Sequence, residues 1–340
     1  MKAYQITAPT GLDALQQVEL PQPEPGPREI LVRIHACSIN YRDLSMPRGG
    51  YQRNNKTPLI PFSDGAGEVV ELGDGVSEFA VGDKVAGCFF QDWETGTPTE
   101  AQFRTALGGG LDGVLAEYVV FRERGAVKIP ADYSYEEAAC LPCAAVTAWH
   151  ALTRANTQPG QTVLTLGTGG VSIFAVQLAK AFGARVISTS SSDAKLARVR
   201  ELGADETINY VDTPDWDEAV RELTGGMGVD NVIEVGGSGT LAKSFKSAKI
   251  GGTISLIGVL TGRAENPAPS ALMRNLQTMN GIYVGNRAMF QALIQAIELH
   301  GIKPLIDKVL PFDEARGAYE YIVRGQHMGK IVVRVLAPVG

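Results

Sequence analysis

Apolar and polar positions follow two different rhythms along this chain. Up to about residue 130, short runs rich in β-branched residues are broken by Gly and Pro. Residues 30–36, 67–72, 83–89 and 116–121 predict strands, separated by turn chemistry such as Gly26-Pro27 and Gly73-Asp74-Gly75. The opening residues 1–9 predict a first strand. Residues 21–27, with four prolines, predict an extended connector, and 91–113, with its Gly108-Gly109-Gly110 run, a long mobile loop. This texture predicts a small antiparallel, barrel-like domain.

From residue 161 the rhythm becomes a regular strand–helix alternation. Short apolar runs at 162–166, 185–189, 206–209, 230–235 and 252–257 predict strands, and 171–182, 194–202, 216–223 and 240–248 predict helices between them. Buried strands alternating with helices make parallel βαβ units, hence a doubly wound sheet. A helix at 288–300, another opening at Pro311-Phe312-Asp313 and an apolar strand at 330–336 follow. These last elements are expected to return and complete the first domain. The predicted fold is α/β, with a dinucleotide-binding-type domain over 146–287 and a second domain from 1–145 and 288–340.

Composition narrows the function classes. A chain of 340 residues is long for one core and favours two domains. Lys plus Arg is 31 and Asp plus Glu 37, and this net charge of −6 leaves no electrostatic footprint for nucleic acid or an anionic membrane. No apolar run approaches the roughly 20 residues of a membrane span. The N-terminal residues lack the apolar core of a secretion signal. With four cysteines, a reduced cytoplasmic setting is the expectation.

The segment Gly167-Thr168-Gly169-Gly170-Val171-Ser172 follows a predicted strand and opens a predicted helix. A dinucleotide pyrophosphate needs a tight turn, close backbone approach and free N–H groups at a helix N-terminus. Gly167 and Gly169 fit the first two demands, and Ser172 is the small third residue. The next strand ends in Ser190-Ser191-Ser192, followed by Lys195. A site for NAD(H) usually carries an acidic residue there to hold the ribose hydroxyls. Hydroxyls and an ammonium favour NADP(H) over NAD(H), although the serines also suit a loop and helix cap, and Lys195 a helix surface.

The chain resembles the medium-chain dehydrogenase/reductase superfamily, and within it the zinc-free quinone-oxidoreductase-like members. The likeness runs nearly end to end: 36–43 (ACSINYRD), 61–70 (PFSDGAGEVV), 82–85 (GDKV), 141–143 (LPC) with 147–149 (TAW), the Gly167 loop, 201–205 (ELGAD) and 329–332 (GKIV). The resemblance implies a GroES-like β-barrel-type catalytic domain interrupted by a Rossmann domain, an active site between them, and a homodimer or homotetramer. Zinc-containing members carry a Cys ligand where this chain has Asn40, and Gly-His-Glu where it has Phe62-Ser63-Asp64. Cys143 matches their third ligand, but one thiolate does not make a site that needs three protein ligands. The structural zinc loop is absent, and His35, His150, His300 and His327 show no ligand spacing. No bound metal is expected, and the Cys140-x-x-Cys143 pair lacks the context of a redox dithiol.

Without a Lewis acid, hydrogen bonds must meet the charge that develops on an acceptor oxygen. The resemblance places Asn40, Tyr41, Arg42 and Asp64 near the reacting groups. Asn40 is the first choice for orienting a carbonyl or quinone. Tyr41 either supplies a proton or lines the pocket, Arg42 and Asp43 also fit a structural ion pair, and Asp64 either orients water or Asn40 or stabilises a turn. For the cofactor, the resemblance implies Ser190, Ser191, Lys195 and Tyr210 around a 2′-phosphate. It implies Thr147, Val259, Leu260 and Val284 near the nicotinamide, and Asn286 and Lys330 as further contacts. Asn286 and Arg287 also suit a helix start. The expected activity is hydride transfer between NADP(H) and a small carbonyl, enone, quinone or alcohol. An enoyl-thioester reductase and a non-catalytic NADPH-binding protein are the alternatives.

Overall fold

The computed structural model describes residues 1–49, 56–258, 260–261 and 269–336. The chain divides into two compact units, Met1–Val146 with Val284–Gly340, and Thr147–Tyr283. Among the described residues no helix is long and apolar enough to cross a membrane.

Unit 1 begins with a two-stranded antiparallel pair, β1 (Lys2–Ile6) and β2 (Leu15–Glu19). It continues with β3 (Glu29–Ile39), β4 (Asp64–Leu72), β5 (Lys84–Gly87), β6 (Tyr118–Arg122) and β7 (Ala126–Lys128). Unit 2 contributes β8 (Thr162–Leu166), β9 (Arg185–Ser190), β10 (Glu206–Asn209), β11 (Val229–Glu234), β12 (Ala248–Leu256) and β13 (Thr278–Gly281). The chain then returns to unit 1 through β14 (Ile306–Pro311) and β15 (Lys330–Arg334).

The main sheet of unit 1 runs β14-β15-β3-β4-β5-β7, with β6 also on β3. All its pairs except β14–β15 are antiparallel. Inward residues of these strands, among them Ile30, Val32, Ile34, Val69, Val85 and Val333, form one core with Phe62, Phe312 and Tyr319. Alternation of β-branched residues with Gly and polar positions is what the half-buried strands of such a sheet require. β15 lies between β14 and β3, so a strand from residues 330–334 is built into the sheet begun by β3.

Unit 2 is a parallel sheet in the order β10-β9-β8-β11-β12-β13. Its central strands are buried, with Leu164, Ile187, Val232 and Ile254 in one cluster. The order reverses between β8 and β11, the crevice where open α/β sheets bind ligands. The glycine loop leaves β8 at this point.

Residues 91–113 differ from the expected mobile loop. Trp93, Ala106 and Leu107 are buried, a capped turn of helix spans Glu100–Phe103, and the rings of Phe90, Trp93 and Phe103 pack 5.2–5.9 Å apart. Aromatic anchors a few residues apart hold a segment whose glycines suggested the opposite. The second break between units falls before Val284, ahead of the expected residue 288. Arg287 accounts for the difference: its Nε donates to the Ala126 carbonyl at 3.0 Å and its guanidinium pairs with Glu78, both in unit 1.

Candidate functional site

In unit 2, β8 ends at buried Leu166 and the chain turns through Gly167 at φ +70° into a helix over Gly170–Ala181. A side chain avoids that φ, so glycine suits the turn. Gly169, the residue before the helix, has an ordinary φ of −74° and offers no side-chain cap. A Cβ on Gly167 or Gly169 would meet no atom within 4 Å, so both glycines face open space. The first N–H groups of a 12-residue helix, unmet by any cap at Gly169, suit an anionic group. Thr168 is buried, Val171 lies in the first turn, and Ser172 Oγ donates to the Leu166 carbonyl.

The neighbouring strand β9 ends at Ser190, whose side chain is buried while Ser191 is exposed. The Tyr210 N–H donates to the Ser190 carbonyl at 3.0 Å, which places Tyr210 beside it. Ser192 precedes the helix Asp193–Glu201 without a side-chain cap, and Lys195 lies in that helix's first turn. The Asp193 carboxylate accepts from Asn209 Nδ2 at 2.9 Å. No acidic side chain stands at 190–192, the rim where hydroxyls were expected. Thr147 is buried in unit 2, and Leu260 is exposed. Val259 lies outside the described residues.

Sequence reasoning missed Glu234. It is fully buried at the end of β11, and its Oε1 accepts from the N–H groups of Gly236 and Gly237 and from the Thr240 hydroxyl. Its Oε2 accepts from the Ser244 hydroxyl. Four donors compensate the burial of this carboxylate and fix the turn across the switch point from the glycine loop. A polar residue closing an apolar run was the only signal available.

Val284, Asn286 and Lys330, expected near the cofactor, belong to unit 1. Val284 is buried at φ +52°. Asn286 caps the helix Arg287–His300, its Oδ1 accepting from the Met289 N–H at 2.9 Å. Lys330 has only 4% of its surface exposed and donates to the Ile39 carbonyl at 2.9 Å and to Asn40 Oδ1 at 2.6 Å.

Strand register explains that last contact. Ile331 pairs with Ile39 in antiparallel β15–β3, so Lys330 falls opposite Asn40. On the other flank Ser38 pairs with Asp64, which brings Ser63 and Asp64 to the same end of the sheet. Asn40 Nδ2 donates to Ser63 Oγ at 3.3 Å, and Ser63 Oγ donates to Asp64 Oδ1 at 2.6 Å. The Cys143 N–H completes the chain on Asp64 Oδ2 at 2.9 Å. Burial raises the Asp64 pKa, opposed first by Lys330 and then by these hydrogen bonds. Phe62, just before this pair, is fully buried at φ +65°, a left-handed conformation that costs a non-glycine residue about 1 kcal/mol or more.

Asp43 is also fully buried, and its Oδ2 accepts from the Asn40 N–H at 2.8 Å. Burial lifts its pKa to about 6 against the pull of Arg42. Arg42 Nε stands 3.8 Å from Asp43 Oδ1, its Nη2 donates to the Gly108 carbonyl and its guanidinium lies 4.5 Å from the Phe89 ring centre. These contacts give Arg42 a structural anchorage. Tyr41 is 49% exposed.

The positions that match zinc ligands do not fit a metal. Asn40 and Ser63 are neutral and bonded to each other, and desolvation followed by the nearby Asp64 raises the Cys143 pKa, keeping the thiol protonated. Cys37, three residues early, is buried with its thiol on the Val114 carbonyl. Among the described residues no group of three His, Cys, Asp or Glu side chains could hold a metal ion. The glycine loop, by contrast, fits a dinucleotide, because open space and helix N–H groups meet there.

Comparison with known proteins agrees with this architecture. Residues 26–131 match the family model of the alcohol dehydrogenase GroES-like domain, and 170–298 that of the zinc-binding dehydrogenase. A zinc-type alcohol dehydrogenase-like protein of Schizosaccharomyces pombe is 42% identical over 96% of both chains. A solved NAD-dependent alcohol dehydrogenase has a TM-score of 0.90 and 32% identity, covering 99% of this chain and 100% of its own. A mycobacterial protein solved in complex with NADPH has a TM-score of 0.84 and 27% identity, covering 98% and 100%.

Proposed function

Given that the chain belongs to the medium-chain dehydrogenase/reductase superfamily and is an oxidoreductase, we propose that it is an NADP(H)-dependent enzyme working without a bound metal. Its substrate is a small carbonyl, enone, quinone or alcohol. The observation that carries the cofactor reading is the open glycine loop beside a rim that has serines and no carboxylate. Lys195 and Tyr210 complete the 2′-phosphate neighbourhood, and Thr147 and Val284 serve the nicotinamide half.

When bound, the reduced nicotinamide supplies a hydride to the acceptor carbon. The protein's part is to hold the acceptor oxygen while negative charge grows there, and to exclude water. Asn40 carries an amide NH2 group that lies against Ser63 and Asp64. This donor meets the oxygen. Asp64 orients Asn40 through Ser63. A quinone acceptor takes its protons from solvent, so no obligatory acid is needed.

We further propose a cytoplasmic homo-oligomer. All four cysteines are free thiols, in keeping with a reduced compartment. β13 closes one edge of the parallel sheet, with Met273, Leu276 and Met279 exposed around it.

The test is NADPH and NADH oxidation by chelator-treated protein across quinones, enones and aldehydes. Turnover with NADPH well above NADH, unaffected by chelator, is the expected result. Loss of activity on metal removal, or tight NADPH binding without turnover of any acceptor, would overturn the reading.

A further inference from the structure

We propose that Lys330 is the positioning residue of the reacting end of unit 1: its buried ammonium fixes which way the Asn40 amide faces and places a positive charge against the amide oxygen. The inference rests on the oxidoreductase reading for its consequence, but its geometry stands on unit 1 alone.

An ammonium has donors and no acceptor. Against Lys330 Nζ at 2.6 Å, Asn40 must therefore present Oδ1, and its NH2 group must face the other way. The far end of the chain demands the same polarity. Asp64 Oδ1 accepts from Ser63 Oγ, so the Ser63 hydroxyl proton is committed and its lone pair faces Asn40 Nδ2. Lys330 to Asn40 to Ser63 to Asp64 is thus a one-way series of donors, and reversing any amide or hydroxyl breaks two links. The Asn40 NH2 group donates to Ser63 Oγ at 3.3 Å and also hydrogen-bonds Asp64, so it faces this pair.

Charge adds to orientation. Lys330 is 4% exposed, and its electrostatic pull registers on Asp43, Asp64, Cys140 and Cys143. With Arg42, it is a fixed cation of a poorly solvated cluster, where a charge acts more strongly than in water. Polarised through its carbonyl oxygen by the ammonium, the Asn40 amide becomes a stronger donor toward an oxygen that gains negative charge. Two of the three Lys330 N–H donors are held by Ile39 and Asn40, and the second bond carries its effect to the Asn40 amide.

The experiment is a double-mutant cycle of Lys330→Met and Asn40→Asp, read as kcat/KM for a quinone or aldehyde and as the NADPH dissociation constant. Each single change is expected to lower kcat/KM by about 100-fold, the double variant to lose little more, and NADPH affinity to move by less than about threefold. Additive losses, or weakened NADPH binding with kcat intact, would overturn the proposal and make Lys330 a cofactor contact. A second readout needs no turnover: selective 15N-Asn spectra should show Asn40 side-chain signals shifted and protected from solvent exchange in the native protein, and in Lys330→Met they should lose that protection and move toward free-amide positions. Unchanged signals overturn the proposal. Should the native protein reduce no acceptor, the oxidoreductase reading fails while the spectra still decide the role of Lys330. If Lys330→Met does not fold, Lys330→Gln keeps one donor on Asn40 Oδ1. It should retain the amide signals yet lose at least about tenfold in rate, and full activity in it would remove the charge from the mechanism.

Discussion

The Ser172 hydroxyl donates to the Leu166 carbonyl at 2.7 Å, tying the first turn of the helix back to the strand across the glycine loop. Both residues are buried, so the hydroxyl serves the turn and not a ligand. Ser172→Ala should cost about 1 kcal/mol in urea unfolding and leave NADPH affinity unchanged. Weaker binding with unaltered stability would show that the hydroxyl faces the ligand.

Gly169 allows a cleaner test of the pyrophosphate cradle than Gly167. Its φ of −74° suits any residue and its Cβ direction is open, whereas Gly167 at φ +70° would be strained by substitution. Gly169→Val should therefore fold with a melting temperature near that of the native protein. It should weaken NADPH by on the order of 100-fold, since the branched side chain occupies the space over the loop. Native-like affinity in this variant would place the cofactor elsewhere.

The end of β9 sets the choice between dinucleotides. Lys195→Ala should raise the NADPH dissociation constant by about tenfold and barely affect NADH, the cost of removing one charge-assisted contact. Ser190 is too buried to accept a carboxylate without loss of stability, so exposed Ser191 is the better position for an added charge. Ser191→Asp should shift preference toward NADH through repulsion of the 2′-phosphate. Parallel fluorescence titrations with both cofactors measure it, and equal changes for the two would dissociate this rim from the 2′-phosphate.

Asp43 predicts a pH dependence of stability. Its pKa is raised by burial to about 6, so the folded protein holds this proton more tightly than the unfolded chain does. The stabilisation is complete below the unfolded value near 3.8 and is lost as pH rises through about 6. Asp43→Asn has no such proton to lose. Relative to the native protein, the variant should gain stability between about pH 4 and about pH 6, by at most about 3 kcal/mol. Denaturant melts of both proteins at several pH values provide the measurement, and parallel curves would contradict the raised pKa.

Much of unit 2 was legible in the sequence because short buried strands and a glycine turn are local signals. The run at Glu206–Asn209 and the helix at Trp216–Leu223 appear as the periodicity predicts. β13 escaped because Thr278-Met279-Asn280-Gly281 is an edge strand with little to bury, and β14 because charged residues and a proline interrupt it. Residues 91–113 misled because glycine content says nothing of how the rings of Phe90, Trp93 and Phe103 fold onto one another. In the site, Asn40 and Asp64 were visible as departures from a metal-binding pattern. Their link to Lys330 was not, since it depends on the register of β15 against β3. Glu234 was hidden because its donors come from the turn and helix that follow it, whose geometry an apolar run does not reveal.

Lys330 reaches Asn40 from 290 positions further along the chain. During synthesis, β3 and β4 emerge early, and the stretch Ala36–Ile39 then waits as an open sheet edge until β15 is made. Contacts of such long sequence separation form late, after the loop between them has been closed. The cation therefore arrives with a strand made long after β3 and β4. Asn40 gains its fixed amide only once β15 has paired with β3, which ties the reacting end of unit 1 to that long-range contact.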